Sequence, residues 1–288
     1  MRSILRIGAA AALLAIAVLP VRAAESYDNC KGFIDAVPAT ISTQGTWCLR
    51  KDLSTAMASG AAITVATNNV TIDCNDFKVG GLAAGDGTNT SGIKGTAVQN
   101  VTVRNCNVRG FLVGVLLLSS WGSVVEHNRL DGNTYAGIEI QGNYTIVRDN
   151  VVTDTGGRPG AGSAYGILVA HGHNVTVQRN VVTDVFPGEG AGGERSPTGI
   201  ALGGGIAEDN YIGQLTATTP GQAIGIRLVG TYGRTAARNN SIVHPTSSAL
   251  GTGIAGSAVT TSTCLANIVQ GYATGIADCQ ISGNLVQP

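Results

Sequence analysis

The strongest constraint on this chain is a recurring asparagine. Asn75, Asn128, Asn150, Asn180, Asn210, Asn240, Asn267 and Asn284, with Cys106 once in the same position, follow one another at intervals of 31, 22, 22, 30, 30, 30, 27 and 17 residues. A period near 22 with insertions is too short for stacked helix pairs. It accommodates three short strands and three turns, the layout of a β-solenoid in which each repeat buries its apolar side against its neighbours. Within one repeat, Tyr165 to Phe186, the apolar residues Ile167, Val169, Val175, Val177 and Val182 follow strand periodicity rather than 3.6. A buried amide costs free energy unless its donors and acceptors are met. Stacking at the same bend of successive coils would meet them, and Asn tolerates the left-handed backbone such a bend needs. These asparagines therefore read as structure rather than as ligands.

Eight repeats open with Gly-Ile or Gly-Val, as in Gly166-Ile167-Leu168-Val169 and Gly137-Ile138-Glu139-Ile140. With the Asn ladder, this Gly-Ile-x-Leu first strand resembles the right-handed parallel β-helix of the pectate-lyase-like class, over about Ala62 to Val286. The predicted fold is all-β, a single right-handed parallel β-helix of about nine coils, some 40 Å long at the usual strand spacing. The class embraces polysaccharide lyases, glycoside hydrolases, sugar epimerases, phage-type spikes and periplasmic copper-delivery proteins. Membership implies a fold, and function has to be argued from the site.

The chain divides into three parts. Residues 1–23 carry Arg2 and Arg6, an apolar run and Val21-Arg22-Ala23, the signature of a secretory signal peptide. Residues 24–61 lack the repeat and read as a cap over the exposed end of the first coil. Residues 62–288 are the β-helix. The leader places the mature protein outside the cytoplasm, secreted or periplasmic, and its apolar run is too short to span a membrane. Cleavage after Ala23 leaves 15 basic against 18 acidic residues, which argues against a nucleic-acid partner. An oxidising compartment favours pairing Cys30 with Cys48 and Cys264 with Cys279. Cys74 and Cys106 fit either a link or two buried thiols.

Charges recur in two columns. Arg104, Glu126, Arg148, Gln178, Glu208 and Arg238 share one, and Asn105, His127, Asp149, Arg179, Asp209 and Asn239 share the next. Alternating signs there suit cross-strand pairs on a solvated face. The glycosylation-like triplets at Asn69, Asn100, Asn143 and Asn174 follow from the repeat itself. They carry no weight as attachment sites.

Four insertions, Thr155 to Ala164, Val185 to Pro197, Gln214 to Ala223 and His244 to Gly251, all lengthen the turn into the first strand. Repeat proteins place insertions on the working side, and in the resembled class those loops overhang the substrate groove; drift in exposed turns would leave the same pattern. The groove floor is then the outward residue of Gly-Ile-x-Leu: Lys94, Leu116, Glu139, Leu168, Ala201, Arg227, Ala255 and Ala277. Glu139 and Arg227 are expected about 14 Å apart, and His171 about 10 Å to the side of Glu139. Candidate bases are Glu139, His171 and His173, with Arg227 as cationic partner. Arg158, Glu189, Glu194 and Arg195 on the loops are candidate substrate-binding residues.

No complete catalytic motif is present. Calcium-dependent uronate lyases need clustered acids, and this floor has Glu139 alone. The pectate-lyase pattern Arg-x-Pro-x-x-Arg stops halfway at Arg195-Ser196-Pro197. The polygalacturonase-like Gly-His-Gly is only approached by His171-Gly172-His173, and Asp154 and Asp184 fall on the third strand. His171 and His173 could join a copper or zinc site if a third ligand arrived, or be two solvated imidazoles. No cofactor is expected, with calcium left open. The sequence leaves open whether the protein is an enzyme and what its oligomeric state is. Its leading functional reading is polysaccharide binding or processing on the first-sheet face. The alternatives are a non-catalytic envelope or surface protein and a periplasmic metal-related β-helix.

Overall fold

A computed structural model describes residues 27–188, 196–217, 221–245, 249–257 and 262–287. The leader read at residues 1–23 lies outside them. The chain winds through three parallel sheets, giving one strand to each in turn. One coil shows the plan: Ser163–His171 lies in the first sheet, Val175–Gln178 in the second and Val181–Phe186 in the third. Each pairs in parallel with its counterpart one coil earlier and one coil later. Ile167, Val169, Val175, Val177 and Val182 all point inward and are buried, as their alternation implies. One continuous apolar cluster runs the length of the stack.

The repeated Gly-Ile start has a packing cause. A Cβ on Gly166 would lie 2.2 Å from Val182 Cγ1 and 2.7 Å from the Gly199 carbonyl oxygen, and one on Gly137 would lie 2.4 Å from Val152 Cγ1. The first strand of each of these coils thus begins against the third-strand Val, Ile or, at Gly114, Leu130 of the same coil, closer than any side chain permits.

The Asn ladder runs unbroken from Asn128 to Asn284. In each rung Nδ2 donates to Oδ1 of the next Asn, at 2.9 Å from Asn128 to Asn150 and 3.0 Å from Asn150 to Asn180. The same Nδ2 donates to a carbonyl of the preceding coil, as Asn180 does to Val147 at 3.0 Å. Each Oδ1 also accepts the backbone N–H of the Asn before it. Both donors and the acceptor are met, so the interior tolerates the amide.

Two details differ from the sequence expectation. The left-handed residue is the one before each ladder position: Asn105 before Cys106, and His127, Asp149, Arg179, Asp209, Asn239 and Ala266 before asparagines, have φ between 50 and 56°, and Gly283 before Asn284 has φ 62°. The bend requires a positive φ one position earlier so that the Asn itself can turn its amide inward. Asn75 also stands outside the continuous line. Between the pairs Asp73↔Arg104 and Lys78↔Asn107 the earlier coil places Cys74 to Phe77 opposite only Asn105 and Cys106. The extra length puts Asn75 on the bend itself, at φ 46°, with its Nδ2 donating to the Leu49 carbonyl. Buried Cys74 takes the inward place and is disulfide-bonded to Cys106. The Cys106 N–H in turn donates to Asn128 Oδ1 at 3.0 Å, so a covalent bridge closes the first end of the ladder.

The other cysteines pair as Cys30–Cys48 and Cys264–Cys279. The segment read as a cap is itself partly coiled. Ala39–Ile41, Gly45–Cys48 and Leu53–Ser54 join the three sheets and pair with the strands that follow. Its text lacks the repeat because its inward positions are filled irregularly, by Ile41, Cys48, Leu49 and Leu53. On the second sheet the surface columns pair as their signs imply. Arg104 contacts Asp73 at 2.8 Å, Arg148 contacts Glu126 at 2.6 Å, and Arg179 grips Asp149 through two bonds of 2.8 and 2.9 Å.

Candidate functional site

The outward column of the first sheet is in register from Lys94 through Leu116, Glu139, Leu168, Ala201, Arg227 and Ala255 to Ala277. Glu139 and Arg227 are three coils apart, about 14 Å at the stacking distance. Leu168 and Ala201 lie between them, and Ala201 is only 3% exposed. An acid and a cation at that separation share neither a proton nor an ion pair.

Glu139 does have neighbours across the strand direction. After the pair Ile140↔Val169 the register shifts, so that Gln141 faces His171. This irregularity draws His171 to within about 8 Å of the Glu139 position, one stacking step and two residues away. That is closer than regular spacing implies. Gln141 Nε2 donates to Glu139 Oε1 at 2.8 Å. Beyond His171, the ring of Tyr232 lies 4.8 Å from the His171 ring and 6.2 Å from the His173 ring, edge-on to both. On the loop flank, the Tyr135 and Tyr165 rings meet edge-to-face at 5.5 Å. Burial pushes the Tyr135 phenol up to about 12, and the nearby Tyr165 and Glu139 charges add to the rise. Tyr135 therefore stays a hydrogen-bond donor at neutral pH. A polar and aromatic band thus crosses the first-sheet face: Tyr135, Glu139, Gln141, His171 and Tyr232.

Residues 50–212, more than half of the chain, match the family described as the right handed beta helix region. The chain belongs to that family. Solved structures agree on the fold. A pectate lyase, Pel9A, matches with a TM-score of 0.60 at 11% identity, over 84% of this chain and 72% of that one. An alginate lyase from Paenibacillus sp. str. FPU-7 matches at 0.52 and 13%, over 89% and 98%. The Dettilon tailspike protein (gp208) matches at 0.52 and 14%, over 88% of this chain, which spans 60% of the tailspike's length. No characterised protein matches by sequence.

In this right-handed β-helix the remaining candidates fall in different places. Arg158 reaches back across two coils. Its guanidinium donates to the Thr88 carbonyl at 3.2 Å and to Asn89 Oδ1 at 2.8 Å, and its backbone N–H donates to Thr134. It straps the inserted loop to the face and has fewer donors left for a ligand. Glu189, Glu194 and Arg195 lie outside the described residues. His171, His173 and Arg227 are exposed. Asp154, at a bend, and Asp184, within the strand Val181–Phe186, are exposed with φ 49 and 54°, and Asp184 accepts from the Thr153 hydroxyl. No group of three His, Cys, Asp or Glu placed to hold a metal exists among the described residues. Tyr135 and Tyr232 in the band, and Tyr165 packed against Tyr135, give no periodic signal in the sequence because none belongs to a repeating column. Their one available signal was rarity, in a chain with only seven Tyr.

Proposed function

We propose that the protein binds, and at the Glu139–His171 band processes, an extracellular polysaccharide laid along the first-sheet face. The observation that carries the reading is the band itself. A carboxylate is held by an amide donor, with a protonated phenol just before the same strand and an exposed imidazole on the next, beside a loop that Arg158 ties to the start of a first-sheet strand. Glu139 is the candidate base and His171 its alternative; Tyr135 supplies a neutral donor, and Arg227 a positive charge three coils along. The kinship of the fold to a pectate lyase and an alginate lyase is consistent with a sugar ligand. The three disulfides are consistent with an oxidising, extracytoplasmic setting.

A second reading, a non-catalytic surface protein, is favoured by the two apolar column residues, Leu168 and Ala201, that separate Glu139 from Arg227. Incubation with a panel of uronate and neutral polysaccharides separates the two. Cleavage, epimerisation or gel retardation that is lost in the double variant His171→Ala with Arg227→Ala, at unchanged thermal stability, supports the proposal. Absence of all three activities with every glycan leaves the surface-protein reading.

A further inference from the structure

The corner where the first sheet turns into the second carries a row of rings. Trp121 and Tyr144, on successive coils, are 53% and 58% exposed, with ring centroids 6.5 Å apart. The Tyr144 N–H donates to the His173 carbonyl of the next coil at 3.0 Å, which fixes the spacing of the following pair. His171 and His173 come next, and Tyr232, two coils on, closes over both. Tyr232 can reach across the coil between because that coil has no side chain there. A Cβ on Gly204 would lie 2.6 Å from the Tyr232 carbonyl oxygen, and one on Gly203 would lie 3.3 Å from its ring. The residues of the row are drawn from coils four stacking steps apart end to end, about 19 Å of backbone, with the Tyr232 ring folded back toward His171.

The corner segments that carry the rings hold amides rather than charges. Across the corner segments 66–69, 97–100, 119–123, 142–145, 171–174, 203–204 and 229–234, Arg234 is the single Asp, Glu, Lys or Arg. Asn100 Nδ2 donates to Asn69 Oδ1 at 2.9 Å, and Asn143 Oδ1 accepts from the His173 N–H at 2.8 Å. The negative face of an aromatic ring attracts the partly positive C–H groups of a sugar ring. Side-chain amides offer both donors and acceptors to hydroxyls. A polyuronate would bring a carboxylate on every unit, with Arg234 the one Arg or Lys of these corner segments to meet them. A protein partner would need roughly 800 Å² of contiguous surface on this side, whereas the row is one side chain wide and interrupted by amides.

We propose that this row is a stacking site for the pyranose faces of an uncharged glycan, an inference that rests on the reading of the protein as a glycan binder and names its ligand class. Affinity electrophoresis in gels containing a neutral β-glucan, a galactomannan or polygalacturonate tests it, alongside the emission of Trp121 during titration with soluble oligomers of each. A neutral glycan should retard the protein and shift the tryptophan emission. The triple variant Trp121→Ala, Tyr144→Ala, Tyr232→Ala should weaken that retardation about tenfold or more, while Trp121→Phe in an otherwise unchanged chain retains most of it. Retardation by polygalacturonate alone overturns the inference and leaves the proposed function standing. Retardation by no glycan overturns both. Unchanged neutral-glycan binding by the triple variant overturns the inference. So does finding that these substitutions abolish self-association instead, since the row would then belong to a second copy of the chain.

Discussion

The corner that holds the Asn ladder and the face of the first sheet are made by the same coils, yet they differ in almost every respect. At the ladder corner, six of the seven linked asparagines are buried to within 1% and nearly every coil repeats the same bonds. Across the first-sheet face, Lys94, Leu116, Glu139, Leu168, Ala201 and Arg227 share one position and no chemistry. Burial explains the contrast. A polar group inside must match its neighbour above and below, so a change at one rung orphans the next. An outward residue faces solvent or ligand and can differ from coil to coil at little cost in stability.

Substitutions in the two regions should therefore separate widely. The largest effect is expected from Asn180→Leu. It removes the acceptor of the Asn150 N–H and Nδ2 and a donor to the Val147 carbonyl, and leaving such buried groups unmet should cost roughly 3 kcal/mol or more. Denaturant unfolding measures it, and a loss under 1 kcal/mol would break the comparison. Next comes Gly166→Ala, whose added carbon would press on Val182 and the Gly199 carbonyl; overpacking of this kind costs about 1–3 kcal/mol.

Arg158→Ala sharpens the boundary between the regions, since it lies on the face but is tied down. It should cost about 1 kcal/mol and make the loop at 157–162 more open to limited proteolysis. Smaller still is an acid effect. The Arg179 hydrogen bonds and charge hold the Asp149 carboxyl below its ordinary value. Its contribution is therefore complete above about pH 4 and lost as the pH falls further. Asp149→Asn should flatten the acid side of the melting-temperature profile and leave the neutral side nearly unchanged. Least of all, Arg227→Ala should shift stability by under about 0.5 kcal/mol. A larger shift would mean that Arg227 is part of the packing and not of a site.

The contrast also decides what could be read from sequence. Ladder, Gly-starts and surface columns were legible because stacking makes each coil repeat the last, so spacing reports contact. Asn75 misled because the turn after Asp73 is longer than its counterpart, and equal spacing no longer meant equal place. Regular strand spacing sets His171 too far from Glu139, because the register shift after Ile140 has no mark in the sequence. Trp121, Tyr144 and Tyr232 come together only through corners of unequal length and a glycine saddle at Gly203 and Gly204. The pairing of Cys74 with Cys106 stayed open for the same reason. On a face built from singular residues, only the assembled coils show which ones meet.

Among the described residues, strand partners come only from the coil before and the coil after, and the ladder rungs are joined across sequence separations of 17 to 30 residues. Tension applied at the last coil is therefore borne by one interface at a time, without the all-or-none rupture of a domain whose ends are woven together. The chain should come away in successive lengths of one coil, and each disulfide shortens the length its own coil can release.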